Sequence, residues 1–375
     1  MIGELETPRL LLDSDRFERN CARMRDRCRE LGVMLRPHVK TAKSVEVAQR
    51  ALNGAIGPIT VSTLKEAEYF AAHGYRDILY ATAIARQKFS HVARIQRGHG
   101  CELLLVTDSM TSISQAAVFA KEFDVRLSFL IEIDCGEHRS GVPADDAIVV
   151  EMARAISARP QLTLHGVMAH AGHSYGTNAQ TAVRRIAAIE RDAAVAAAAA
   201  IRSAGLACDI VSVGSTPTIL HADHLDGITE ARAGIYMFWD LAQLSRAMCS
   251  HDDIAVSVLA TVIGHNRPGR SLVLDAGALA LSKDIGAGRF LPDAGYGYVC
   301  DPRTLARFGS LSVDSVHQEH GTVSVPDVSW FEQLPVGSQV RILPNHACLT
   351  CAAYDGYDVI RDGAIVDRWS RINGW

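Results

Sequence analysis

The sequence predicts an eight-stranded β/α barrel followed by a smaller, mainly β domain, and three observations carry that expectation. Short apolar runs recur eight times between Met34 and Tyr236, and amphipathic stretches with apolar residues at three- and four-residue steps separate them. Beyond Met248 the rhythm changes to closely spaced β runs with few helical stretches. A single doubly wound parallel sheet is the alternative for the same alternation.

The strand-like runs of the barrel are Met34–Val39, Ile59–Ser62, Ile78–Ala81, Leu103–Thr107, Leu127–Ile133, Leu164–Ala169, Ile210–Val213 and Ile228–Tyr236. The intervening helices are expected at Ser44–Leu52, Leu64–Ala72, Thr111–Lys121, Ala144–Ala158 and the alanine-rich Thr181–Ala204. In the second domain the strands read as Ala255–Ile263, Ser271–Asp275, Thr322–Val325, Gln339–Leu343 and Tyr357–Ile360. An opening strand at Arg9–Asp13 is placed with them. The expected division is therefore 15–248 for the barrel and 1–14 plus 249–375 for the β domain.

Composition narrows the function. The 375 residues are 48% apolar and 21% charged, with 38 Lys plus Arg against 42 Asp plus Glu, so neither disorder nor a basic nucleic-acid footprint is indicated. The longest apolar run, Ala193 to Ile201, falls far short of the roughly 20 residues of a membrane span. Carboxylates occupy the N-terminus where a secretion signal needs a basic region and then an apolar one, and the nine scattered cysteines form no disulfide framework. The expectation is a cytoplasmic protein acting on a small molecule.

Chemistry in a β/α barrel gathers at the C-terminal ends of its strands, and polar residues follow several runs there. Lys40, in Arg36-Pro37-His38-Val39-Lys40-Thr41-Ala42-Lys43, follows the first. Desolvation and the cations Arg36, His38 and Lys43 would favour its free amine, making it a candidate Schiff-base nucleophile. A solvated basic turn is the other reading of those residues alone. Gly214-Ser215-Thr216 follows the seventh run and Gly234-Ile235-Tyr236 ends the eighth, where barrels commonly bind phosphate on backbone N–H groups. In the β domain His346 and Cys348 lie two apart in Pro344-Asn345-His346-Ala347-Cys348-Leu349-Thr350-Cys351, and an extended backbone would point both to one side. Imidazole plus thiolate is a donor pair suited to zinc, leaving open positions for water and substrate.

The lysine segment, together with Thr7-Pro8, Thr60-Val61-Ser62-Thr63, Val213 to Thr218, Arg232 to Tyr236 and Leu343 to Cys348 in that order, resembles the fold-type III pyridoxal-phosphate enzymes. The similar branch holds D-threonine aldolases, D-serine dehydratases and D-threo-3-hydroxyaspartate dehydratases, and the resemblance spans nearly the whole chain. It implies an alanine-racemase-like barrel, with Lys40 bearing pyridoxal 5'-phosphate and removing the substrate's Cα proton. It also implies a phosphate cradle of Gly214, Ser215, Thr216, Gly234 and Tyr236. By the same resemblance His170 lies beside the cofactor ring, Arg139 reaches its phenolate edge, and Tyr175 supplies a hydroxyl near that edge. For His170 a structural histidine, and for Arg139 an ion pair with Asp134 or Glu137, remain open.

His346 and Cys348 would hold a divalent metal, zinc first, with Mn, Co or Mg as other candidates. The aldolases of the branch carry aspartate where Cys348 stands, so the cysteine points to dehydration of a D-3-hydroxy amino acid such as D-serine or D-threo-3-hydroxyaspartate. The resemblance further implies a homodimer in which the β domain of one subunit closes on the barrel of the other. The rivals are an aldolase giving glycine and an aldehyde, a racemase using Tyr296 or Tyr298 as a second base, and a cofactor-carrying barrel without catalysis.

Overall fold

A computed structural model describes residues 2–375. The chain forms two compact units, one made of the residues up to Cys21 with Ile235–Asn373, the other of Ala22–Gly234 with the last two residues. The joins thus fall after Cys21 and Gly234, whereas the sequence reading put them after residues 14 and 248. Aromatic packing explains the shift, because Phe17 stands 6.1 Å from Phe238 and 6.0 Å from Trp369 between ring centroids. The buried Asp240 also accepts the backbone N–H of Ala347 at 2.9 Å.

Besides a short strand, Val142–Pro143, that pairs alongside Leu127–Asp134, the barrel unit carries eight parallel strands at Met34–Leu35, Ile59–Val61, Asp77–Ala83, Glu102–Thr107, Leu127–Asp134, Leu162–Ala169, Ile210–Val213 and Glu230–Ala231. The last pairs with the first, Glu230 opposite Met34. The first meets the second through a single bridge, His38 to Thr60, supported by Val39 N–H to Thr60 O at 2.9 Å and Thr60 N–H to Pro37 O at 2.8 Å. Burial on both faces explains why these strands read as unbroken apolar runs; in Leu127–Asp134 only the last residue is not buried. The first and eighth strands are shorter than expected. Pro37 has no N–H for the ladder, and the chain turns out of the sheet toward Lys40.

Helices at Val45–Ala51, Leu64–Ala72, Met110–Glu122, Ile148–Ser157 and Gln180–Ser203 lie where periodicity put them. Thr63 and Ser109 start two of them by accepting the N–H of Glu66 and Ser112. The helices Ser14–Glu30 and Phe89–His99 were not foreseen; the second buries Phe89, Val92, Ala93 and Ile95 and stops at Gly100, whose φ is 60°. Among the described residues no helix is long and apolar enough to cross a membrane.

In the other unit Arg9–Asp13 is a central strand, antiparallel to Val256–Asn266 and parallel to Gly356–Arg361. Ser271–Leu274, Gly321–Ser324 and Gln339–Pro344 form near their expected positions, and Gly297–Cys300, Arg307–Ser312 and Ala364–Ser370 add strands the sequence reading did not foresee.

Candidate active site

In the barrel unit Lys40 sits exposed in the turn after the first strand, between buried Val39 and buried Thr41. Of the three cations expected to act on it, two are paired with carboxylates and the third is neutral, which corrects the sequence reading. Arg36 is buried and pairs with Glu230 at 2.9 Å and Asp77 at 2.6 Å. Lys43 lies 3.1 Å from Glu66. Burial, followed by the positive charges of Lys40 and Arg232, pushes the His38 imidazole well below its usual range, so that ring is neutral.

His170 faces the same region, since the charges of Arg232, Lys40 and Arg139 all act on it. Burial chiefly lowers it to about 3, and Nδ1 donates to Gly214 O at 2.7 Å. The acceptor is a carbonyl, so the proton is on Nδ1 and Nε2 presents a lone pair. Arg139 is half exposed and stands 3.6 Å from Glu137, the ion pair left open by the sequence. Asp134 instead binds His138 Nδ1 at 2.6 Å.

The Gly214-Ser215-Thr216 turn opens a short helix, Thr216–His221, through a capping box between Ser215 and Thr218. Gly214 has φ 134°, and a Cβ there would lie 2.4 Å from Arg232 O, so only glycine fits. Its N–H goes to Glu190 Oε1 at 3.1 Å. Ser215 N–H goes to Thr218 Oγ1 at 3.0 Å. The Tyr175 hydroxyl accepts from Thr216 N–H at 3.4 Å, beside this turn. Thr216 Oγ1 is buried without a hydrogen-bond partner. That orphaned hydroxyl beside a glycine-shaped turn fits a phosphate group. Tyr236, two residues past Gly234, is fully buried.

Gly234 has a second duty. A Cβ there would meet His38 O at 2.6 Å, where the eighth strand passes the first. Gly234→Ala is therefore expected to strain barrel closure itself, destabilising the apoprotein by about 1–3 kcal/mol and weakening cofactor retention with it. A melting temperature equal to wild type in the apo variant would refute it.

Two buried charges escaped the sequence reading. Arg232 donates to Ser212 Oγ and Ala169 O, both at 2.6 Å. Glu190 accepts the N–H groups of Ala171 at 2.8 Å and Gly214 at 3.1 Å, tying the sixth and seventh loops together. Signals existed for both: Arg232 stands within a quoted motif, and Glu190 falls in register with Val183, Ala187 and Ala194 on the buried helix face.

The neutral rings make a pH prediction. Unfolded, His38 and His170 take protons near their ordinary value of 6.5, whereas folded they resist to lower pH, His170 to about 3. Unfolding below pH 6.5 thus takes up protons, and stability falls as the pH drops, by up to about 1.4 kcal/mol per pH unit per ring. Urea midpoints of the apoprotein should decline from pH 7 to pH 5, with a shallower slope in His170→Gln. Equal slopes would contradict a buried neutral ring.

In the β unit the strand Gln339–Pro344 ends and a helix, Ala347–Cys351, begins with His346 at its N-cap. The extended backbone expected from 344 to 351 is therefore absent, and His346 and Cys348 face each other across the start of a helix. His346 Nδ1 is 2.7 Å from Asp284 Oδ2. Burial would lower the imidazole, yet its bonds to Asp284 and Cys348 raise it to about 11. A ligating histidine held from behind by a carboxylate is the usual support of a metal site, so the donors fit a divalent ion. Among the described residues no group of three or more His, Cys, Asp or Glu forms a closed metal cage. Two donors leave coordination positions for other ligands.

Cys351 shares the helix with Cys348 but is fully buried, and burial pushes its thiol up to about 12. Tyr298 donates to Asp293 at 3.0 Å beneath the Arg307 guanidinium, and burial and that bond push it up to about 12. It is thus poorly suited to be a racemase base.

Comparison with known proteins agrees with this arrangement. Residues 12–242 match the alanine racemase N-terminal domain and residues 255–360 a putative serine dehydratase domain. The D-threo-3-hydroxyaspartate dehydratase of Delftia sp. is 44% identical over 99% of this chain and 98% of its own. Its solved structure superposes with a TM-score of 0.96, covering 100% of this chain and 99% of that one at 42% identity. The D-serine dehydratase of Dictyostelium discoideum is 30% identical over 100% of this chain and 98% of its own. The 3-hydroxy-D-aspartate aldolase of Paracoccus denitrificans is 31% identical over 98% and 92%. The chain therefore belongs to the fold-type III, pyridoxal-phosphate-dependent lyases of the D-serine dehydratase and D-threonine aldolase family.

Proposed function

We propose that this protein is a metal-assisted dehydratase of D-3-hydroxy amino acids, D-threo-3-hydroxyaspartate or D-serine, releasing a 2-oxo acid and ammonia. The observation that carries this reading is the His346–Cys348 pair, backed by Asp284. Cysteine there matches the dehydratases of the branch rather than its aldolases. Lys40 is the residue we assign to hold the cofactor and to take the Cα proton on Nζ. Thr216 Oγ1, the Ser215 turn and Gly234 would hold the phosphate. Neutral His170 offers Nε2 as an acceptor, Arg139 offers a cation on the same side, and the Tyr175 hydroxyl steadies Thr216. When bound, pyridoxal phosphate supplies an electron sink for charge developing at Cα, and the divalent ion a Lewis acid for the β-hydroxyl. Asp284 orients His346 for that ion, which we take to be zinc from the imidazole and thiolate donors. A form of D-threo-3-hydroxyaspartate dehydratase with one cysteine replaced by alanine is described as metal-free. We further propose that the protein is cytoplasmic and a homodimer; light scattering on the purified protein tests the dimer.

Product analysis on D-serine, D-threonine and both D-3-hydroxyaspartate diastereomers tests the reaction. Ammonia with pyruvate or oxaloacetate is the expected outcome. Glycine with an aldehyde or glyoxylate would replace it with the aldolase reading, which the kinship to the Paracoccus enzyme keeps as the second candidate.

A further inference from the structure

The β unit contains a cleft of about 870 Å³ that none of the proposed cofactor or metal residues lines. Its walls bring Arg16, Arg19, Arg303 and Arg341 together from three separate stretches of chain. Arg341, on the strand Gln339–Pro344, is only 2% exposed. Its Nε donates to Ser257 Oγ at 2.9 Å, but its buried Nη2 has no hydrogen-bond partner. Among the described residues no carboxylate forms an ion pair with it, and Asp13 acts on it only at longer range.

Arg19 and Arg303 are exposed on the same cleft and likewise lack an ion-pair partner among the described residues. The carboxylates nearby are committed elsewhere. Asp13 accepts Arg16 N–H at 3.1 Å and lies 3.5 Å from Arg16 Nε, and Asp15 pairs with Arg361 at 2.8 Å. Glu4 and Asp362 also line the cleft, and Glu4 is engaged in an interaction of its own.

A buried guanidinium with an unused donor and no counter-ion is an unfavourable arrangement unless a ligand completes it. Its planar fork is matched best by an oxyanion offering two acceptor oxygens. We propose that this cleft binds a small oxyanion, a carboxylate or a phosphate, with Arg341 as the buried anchor and Arg19 and Arg303 as the solvent-facing cations. Nothing in this site depends on the reaction proposed above.

The test uses the holoenzyme with cofactor and metal loaded, so that neither the Gly214 turn nor the His346 site is open to the anion. Inorganic phosphate and malonate are titrated separately by calorimetry and thermal shift, at ionic strength held constant with chloride. A saturable response to at least one is expected. It should be at least tenfold weaker in Arg19→Ala/Arg303→Ala and absent in Arg341→Met, with turnover in the double variant unchanged. Preference for phosphate identifies a phosphate ligand and preference for malonate a carboxylate. Should Arg341→Met fail to fold, the double variant decides alone. No saturable response in wild type, or equal affinity in the double variant, overturns the site.

Discussion

Lys40→Ala should abolish turnover of every D-3-hydroxy amino acid and yield a protein lacking the yellow colour of a lysine-bound cofactor. The loss combines two roles at one nitrogen, covalent attachment and proton abstraction. General-base catalysis alone contributes roughly 10²–10⁴-fold, so activity should fall at least that far. The barrel should survive, because the Lys40 side chain is exposed and Val39 and Thr41 beside it carry the local packing. Borohydride reduction of the wild type followed by peptide mapping gives the complementary result, a pyridoxyl adduct on Lys40. An adduct on another lysine would sink the assignment.

Removing the metal is expected to stop elimination while leaving the colour intact. Hydroxide is a poor leaving group near neutral pH, and Lewis-acid polarisation contributes several kcal/mol, which corresponds to about a thousandfold or more in rate. Cys348→Ala and His346→Ala should behave like chelated wild type, and zinc should rescue the chelated protein but neither variant. Asp284→Asn should be milder, by about 10–100-fold in metal affinity, because it loosens a ligand without deleting it. Cys348→Asp recreates the aldolase-type pair and asks whether ligand identity alone redirects the bond that breaks. Full ammonia release from chelated protein would remove the metal from the reaction.

Sequence was most informative where an element reports on itself. Strands buried on both faces announce themselves as apolar runs, and helices that start on Thr63 or Ser109 carry their own caps. It was least informative where a distant partner decides. Arg36 is neutralised by Glu230 and Asp77, far along the chain, and the cationic cluster imagined around Lys40 dissolves with it. The helix after His346 has no side-chain cap of its own. Asp240, from another segment, accepts the first N–H instead, so a strand was the natural local reading. Glu190 is the exception, since an acid in register with an apolar helix face is legible in the sequence itself.

Among the joints of the barrel, the one between the first and second strands is held by a single bridge at His38 and Thr60, two residues before Lys40. The residue proposed to do the chemistry thus stands on the zip fastener of the cylinder, where the fewest ladder bonds resist parting. Parting at that joint would carry Lys40 with it, so a break at one place would displace the amine while the remaining staves still hold. Cofactor bonded to Lys40 on one side and to the seventh loop on the other would act as a clasp across that opening. Holoenzyme and apoprotein would then differ less in how they are folded than in how long the seam stays shut.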